Sequence, residues 1–531
     1  MRHLTGASRL LQSQTAVAKG ASFLYAANIV VLLANTGYFL FLTHVMAPLD
    51  VGVITSLNIM ITLLVTVSIL AQPIITQSPI PAPMAVLKFL PEVGSEKSNV
   101  AARMVFKYSL TLTTLLSGAA MFALLGVPSY VVPFLGGQAV LPVFIRLAGL
   151  DVLVMSMAQI CLGTVIALGE MKKAGTYIIS SGVAKFGLAT LLQLRYAIVG
   201  ILAGFIIGDL ILLILALSYC RTNLRETIGN SKLSLAELSR YSAYTLGSAL
   251  MGFAISQADK IFALAQEGLP ELAVYNVAIV ASNLPGFAPY ALLTALLPAL
   301  SALRASGKRR EMRDMIRAYS RYVSMAVLPI AFGFASLSDV VLRIFGPEYA
   351  AGFAPSVIVT LTTGLTAIGL VYAGVLLAVG ELRWYTGANV MGLVALFTVS
   401  ALLTPVIGLV GPALGRASLR VVASCIYVAA AKRSDLLELD LKAFLSATGS
   451  ATIMGIALFG LVASVHSFTL QLALLPLFVV LGAVIYVGSL RALRLITAAD
   501  VEFIMGIMPS RFAPILNRTA KIIGIREQSR G

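Results

Sequence analysis

The feature that most restricts this chain is a series of apolar runs, each about 20 residues long, parted by short polar segments. At 1.5 Å per residue such a run crosses about 30 Å of hydrocarbon. In lipid every backbone N–H and C=O must be bonded within the segment, so each run has to be a helix. Fourteen spans can be placed, at 22–46, 51–72, 104–125, 143–168, 176–194, 197–219, 241–265, 272–297, 322–345, 352–379, 385–404, 408–431, 444–465 and 469–490. Composition agrees. The residues are 59% hydrophobic and 11% charged, against roughly 25% charged in a soluble domain, too few to coat a soluble protein. The first run is too long for a signal-peptide core and has no clear cleavage site, so it reads as a retained span. Cys161, Cys220 and Cys425 offer neither a disulfide framework nor paired ligand spacing.

The basic residues set the orientation. With an even number of spans both termini share a side, and that side holds about 31 of the 38 Lys and Arg, whereas the opposite connections hold only Arg195 and Arg343. Both termini are therefore expected in the cytoplasm. The net charge of +16 is then a topology signal facing anionic lipid, and nucleic acid is not an expected partner. Two stretches read as basic amphipathic helices on the inner membrane face: residues 302–321, and the tail 491–531, where Thr497 and Asp500 resemble a capping box.

An internal repeat divides the spans. A shift of 211 residues lays Leu168-Gly169-Glu170-Met171-Lys172 on Val379-Gly380-Glu381-Leu382-Arg383. In the same register Gly200 falls on Gly411 and Gly204 on Gly415. A shift of 221 lays Asp50-Val51-Gly52-Val53 on Glu271-Leu272-Ala273-Val274. Six spans per copy is even, so the copies run parallel, as in transporters whose cavity lies between two bundles. The expected fold is an all-α polytopic membrane protein: a lobe at 1–220, a linker and hinge at 221–240, a second lobe at 241–431, two additional helices at 432–490 and the tail.

Ionisable residues inside spans are costly and are candidate cavity groups. Asp151, Lys185, Asp209, Arg416 and Arg420 lie near mid-span, while Arg146, Asp259 and Lys260 lie nearer the outer surface. Lys185 and Asp209 sit at similar depth on consecutive spans, and a structural ion pair is the alternative to a cavity role. Lys260 can snorkel outward. Arg416 and Arg420, one turn apart, share a face, and the planar fork of arginine suits phosphate. Under the 211 shift Arg420 falls on Asp209. The eight groups sum to a positive interior, which favours an anionic cargo. Asn28 and Asn35 share a face of the first span and either line the cavity or bond between helices. Pro285, Pro289, Pro298 and Pro329 mark expected kinks. No phosphate-loop motif, nucleophile–base set or metal-ligand set is found, so neither a cofactor nor an enzymatic reaction is expected.

Six plus six plus two spans resemble the multidrug/oligosaccharidyl-lipid/polysaccharide exporter superfamily. Gln257-Ala258-Asp259-Lys260-Ile261, Leu272-Ala273-Val274-Tyr275-Asn276-Val277-Ala278 and Thr294-Ala295-Leu296-Leu297-Pro298 are similar to its polysaccharide flippase branch. The resemblance implies a plasma-membrane flippase, prokaryotic, moving a polyprenyl-linked oligosaccharide outward by alternating access. Glycosyltransferases or a polymerase of the same pathway are its implied partners. Asp259 and Lys260 are the motif residues it carries over, and helix packing is their other role. Lys185, Arg416 and Arg420 are the expected contacts to phosphate or acidic sugars. A lipid II-type flippase and a multidrug–cation antiporter share the fold, but the antiporter is expected to place acids in the first or tenth span, and neither span has one. The Gly-x-x-x-Asp-Arg signature of major-facilitator transporters is missing after span two, where Lys88 to Gly94 stand. A scaffold or scramblase-like protein with every interior charge paired is the non-transporting alternative.

Overall fold

A span of 20 apolar residues has one stable backbone in lipid, and the computed structural model is helical wherever the sequence requires it. It describes residues 2–69, 72–73, 81–82, 99–224, 235–283, 296, 300, 303–304, 306–493 and 495. Fourteen helices are described: α1 (Arg2–Val45), α2 (Pro48–Ile69), α3 (Asn99–Gly126), α4 (Pro142–Ala167), α5 (Met171–Asn223), α6 (Leu235–Glu267), α7 (Leu269–Asn283), α8 (Arg309–Ile344), α9 (Phe353–Leu365), α10 (Ala367–Val379), α11 (Leu382–Ile407), α12 (Val410–Arg433), α13 (Leu441–Ala463) and α14 (Phe468–Ala492). Among the described residues the one strand pairing joins Gln72–Pro73 to Pro81–Ala82. Ten helices among the described residues are long and apolar enough to cross a membrane, and the bent pair α9–α10 makes an eleventh. The chain is a multi-pass membrane protein. The tail from 496, Lys88 to Gly94, residues 225–234 of the linker and the prolines at 285, 289 and 298 lie outside the described residues.

Length explains α5. Its 53 residues would stretch about 80 Å if straight, far beyond the hydrocarbon thickness, so the helix must turn back. It does so at Ala197, where φ is 48° and ψ −132°. The two arms, the expected fifth and sixth spans, then pack through glycines four apart. A Cβ added to Gly200, Gly204 or Gly208 would lie 2.3 Å from Leu192 O, 2.4 Å from Ala189 N and 2.6 Å from Lys185 Cα. Without a solvent-driven hydrophobic force, such small-residue stripes let helices approach and gain dispersion contacts.

The chain divides into two compact units, Met1–Asn276 with Thr404–Leu409, and Val277–Leu403 with Val410–Gly531. In the first, α4 packs on α2, α3 and α5, and α1 lies along the first arm of α5. At one end α2 meets α7. A Cβ on Gly52 would fall 2.0 Å from Leu269 O, and Asn276 donates to Thr55 Oγ1 at 3.3 Å. Thr55 and Asn276 are 221 residues apart, so repeat-equivalent residues touch.

In the second unit α8 is central, packed by α9, α10, α13 and α14. Ala443, Ala447 and Ala451 of α13 form a small-residue face in the same buried cluster as Leu328, Leu337 and Val340 of α8. Pro329 lies inside α8 without interrupting it. The basic stretch 302–321 differs from its expected surface role. From Arg309 it runs straight into the span as α8, and its arginines spaced by four meet acids of the turn after α12. Arg313 pairs with Asp435, Arg317 with Glu438 at 2.9 Å, and Arg321 with Asp440 at 3.0 Å.

The backbone bears out the 211-residue register. Gly169 (φ 84°) and Gly380 (φ 75°) make the same left-handed turn, and Ala197 and Gly408 (φ 58°) the next one. The contact of Gly204 with Ala189 recurs as Gly415 with Ser400. The register also aligns α4 with α9 and α10, but α4 is continuous, whereas α9 and α10 meet at Thr366 with a 50° bend.

Candidate functional site

The glycine contacts of α5 bring Lys185 beside Asp209, because Gly208 lets the second arm approach the Lys185 backbone. Lys185 Nζ donates to Asp209 Oδ2 at 2.8 Å. Its ammonium also lies 4.9 Å from the centre of the Phe205 ring, whose negative face adds to the attraction. Phe186 and Tyr38 complete an aromatic wall, with Tyr38 5.5 Å from Phe186 and 5.8 Å from Phe205. Asp151, on the neighbouring α4, is 1% exposed and its Oδ1 is buried without a partner. The structure thus joins Lys185 and Asp209, and it gives Lys185 the ion-pair partner that the sequence offered as an alternative.

Arg416 and Arg420 lie on α12 of the second unit. Arg416 is 8% exposed, a low value for a guanidinium in a membrane span. Arg420 donates to the Thr363 hydroxyl and, at 3.3 Å, to the Val359 carbonyl. Those partners lie in the second half of α9, where the helix dipole favours a cation. Ser424, one turn on, donates to Thr366 O at the break itself. The α12 side chains therefore brace the bent span. Both halves carry a charge at equivalent positions, 209 and 420.

Asn28 donates to Leu24 O of its own helix, and its Oδ1 is buried without a partner. Asn35 is half-buried. Asp259 is fully buried and accepts a 2.7 Å bond from the Tyr275 hydroxyl, so the acid and the tyrosine of the motif meet each other; Lys260 is half-buried. Arg146 is exposed. Sequence reasoning missed Tyr38, Phe186 and Phe205 around Lys185, and Thr363 beneath Arg420. The four-residue spacing of Gly200, Gly204 and Gly208 was the one signal that could have revealed the arm-to-arm packing. Among the described residues no group of His, Cys, Asp and Glu could hold a metal ion.

Comparison with known proteins bears on this geometry. Residues 97–352 match the model of a family described as polysaccharide biosynthesis protein. A direct sequence comparison with curated proteins finds no match. The fold is similar to that of the lipid II flippase MurJ in an inward closed conformation, with 13% identity, a TM-score of 0.71, and 89% of this chain and 98% of that one covered. It is also similar to an inward-facing multidrug resistance MATE family transporter of the MOP superfamily, at 14% identity and TM-score 0.64, covering 77% of this chain and 95% of that one. The Vibrio cholerae MATE transporter VcmN in its bent form matches at 14% and 0.54, covering 80% and 100%. The chain therefore shares the fold of these flippase and MATE transporter structures, and residues 97–352 match the polysaccharide biosynthesis protein family.

Proposed function

We propose that this protein is a flippase that carries a polyprenyl-(pyro)phosphate-linked oligosaccharide from the cytoplasmic to the outer leaflet of a prokaryotic plasma membrane. In this reading both termini are cytoplasmic and two six-helix lobes, 1–220 and 241–431, alternate access to a cavity. The linker 221–240 acts as hinge, and the helices at 432–490 and the tail 491–531 are accessory. The observation that carries it is the pair Arg416 and Arg420, two guanidiniums one turn apart on a membrane helix, Arg416 almost fully buried. Such a pair matches the charge and bidentate geometry of a phosphate or pyrophosphate, while the lipid tail of the cargo stays in the bilayer. Lys185, engaged by Asp209, has a lesser share in the headgroup contact, and Asn28 and Asn35 line the path. Asp259 and Lys260 fix the end of α6 on α7 through Tyr275. Glycosyltransferases or a polymerase supply and consume the cargo.

A lipid II-type precursor is the second reading, supported by the likeness to a structure titled lipid II flippase. A multidrug–cation antiporter has less support, since α1, α9 and α10 contain no Asp or Glu. The test is R416A/R420A in the native host. Loss of surface glycan at unchanged membrane levels is expected; unchanged glycan export defeats the phosphate-contact reading. Rescue of a strain lacking its peptidoglycan precursor flippase would favour the second reading.

A further inference from the structure

The connection between α3 and α4, residues 127–141, is unlike a water-facing loop. Residues 108–145 hold no Asp, Glu, Lys, Arg or His, so the turn is as free of charge as the spans on either side. It folds into three short 3₁₀ turns, Pro128–Tyr130, Val132–Leu135 and Gly137–Ala139. Their backbone bonds close within the segment. Tyr130 N donates to Val127 O at 3.2 Å, and Val131 N to Pro128 O, Phe134 N to Val131 O and Val140 N to Gly137 O at 3.0 Å each. Pro128, Pro133 and Pro142 have no N–H to satisfy. Water does not require a loop to bond to itself; a lipid surrounding does.

The segment is held from one side. Pro128, Leu135 and Val140 are buried. A Cβ on Gly136 would lie 2.5 Å from Leu269 Cγ, and Leu269 also meets Gly52 at the start of α2. The other side is apolar and open: Tyr130 and Phe134 are 77% and 80% exposed, with Val127 and Leu141 exposed beside them. This face continues the lipid-facing surface of the spans through Phe122 and Leu125 of α3 and Val143 of α4. Arg146, exposed and one turn into α4, is the first charge the chain then reaches. The 211-residue register lays the segment on 338–352 of the second unit, where the pattern is reversed. Asp339, Arg343 and Glu348 stand there, and the aromatic, Tyr349, is fully buried.

We propose that residues 127–141 form an interfacial wedge that seats in the headgroup–acyl boundary of a phospholipid leaflet, with Tyr130 and Phe134 as anchors and Arg146 reaching the lipid phosphates. Aromatic rings suit that depth because an apolar body stays in the acyl region while its edge meets the wet boundary, and a long basic side chain rises to it. The wedge sets how deeply the α3–α4 end of the first unit sits in the bilayer. Phosphate is common to every phospholipid, so the wedge reads the boundary and not one headgroup. This inference does not depend on the nature of the cargo.

Tryptophan fluorescence tests it, because Trp384 is the sole tryptophan. In full-length W384F in phosphatidylcholine nanodiscs, F134W is expected to be quenched strongly by lipid brominated near the headgroup. Lipid brominated near the chain end should quench it less, and aqueous iodide least. Y130W should read the same way and keeps the test valid if F134W folds poorly. E348W, on the equivalent stretch of the second unit, should be quenched by iodide above either bromolipid. Iodide quenching of F134W and Y130W above that by bromolipid overturns the proposal, since the segment then faces water. Quenching by neither agent also overturns it and assigns the face to a second copy of the chain.

Discussion

The folded-back α5 of the first unit and the α11–α12 pair of the second share a backbone plan but bury different chemistry. Their entry turns, apex turns and central glycine contacts coincide after a shift of 211 residues. Their side chains diverge. Asp209 sits where Arg420 does, Lys185 where Leu396 does, and Lys173 where Trp384 does. At the open end of each hairpin a cation stacks on an aromatic ring, but the roles are exchanged: Lys173 lies over Tyr219 at 4.6 Å, and Arg433 over Trp384 at 5.1 Å. The first half pairs Lys185 with Asp209, and its α4 is unbroken. The second presents arginines at a broken span. The two hairpins thus share a frame, which packing fixes, while the charges they carry on it differ.

Variants can strain this comparison. The largest effect is expected from Lys185→Met, which leaves buried carboxylate charge uncompensated and costs about 3–5 kcal/mol. Equilibrium unfolding in mixed micelles measures it, and adding Asp209→Asn should recover most of the loss. If the single variant is as stable as the native protein, the cluster is not a buried charge network.

The glycine contacts come next. A Cβ on Gly204 would press on Ala189 backbone atoms at 2.4 and 2.6 Å, whereas one on Gly415 would meet chiefly the Ser400 Oγ, with Leu396 O at 3.0 Å. A serine hydroxyl can rotate away and backbone cannot. Gly204→Ala is therefore expected to cost about 2–3 kcal/mol and Gly415→Ala about 1 kcal/mol, read as unequal drops in the thermal midpoint. Equal drops would mean that the two hairpins pack alike.

A smaller effect separates the apex turns. Ala197 holds a backbone conformation suited to glycine, and its equivalent, Gly408, is one. Ala197→Gly should stabilise by about 1 kcal/mol and Gly408→Ala should destabilise by a similar amount. The smallest expected change is Thr363→Val, which removes one acceptor of Arg420 at constant shape and costs about 0.5–1.5 kcal/mol.

Much of this was legible in the sequence for physical reasons. Span length is dictated by the bilayer, so every expected span falls on a described helix, with the later half of the eighth and residues 70–71 of the second outside the described residues. Gly169 and Gly380 were legible as turns because a charged Gly-Glu step cannot lie mid-membrane. The Lys185–Asp209 pair was legible because consecutive spans joined by a short turn must be neighbours. The enclosure of Asp151 was not, since nothing in one sequence says which face of α4 turns inward. The break at Thr366 was equally hidden. It has no proline, and the Thr366 carbonyl at the break is met by Ser424 from a helix some sixty residues away. Pro329, which invited a kink, lies in a continuous helix whose neighbours hold it in place.

The central claim, that the arginines of α12 receive a phosphate-bearing lipid-linked glycan, is tested most directly in proteoliposomes. A polyprenyl-pyrophosphate-linked oligosaccharide is placed in one leaflet, and its arrival in the other is followed by access to an added glycosidase. The native protein is expected to move it, and R416A/R420A at equal reconstitution is expected to fall to the protein-free rate. Native-like translocation by the double variant, or native protein that moves nothing above empty vesicles, would contradict the account.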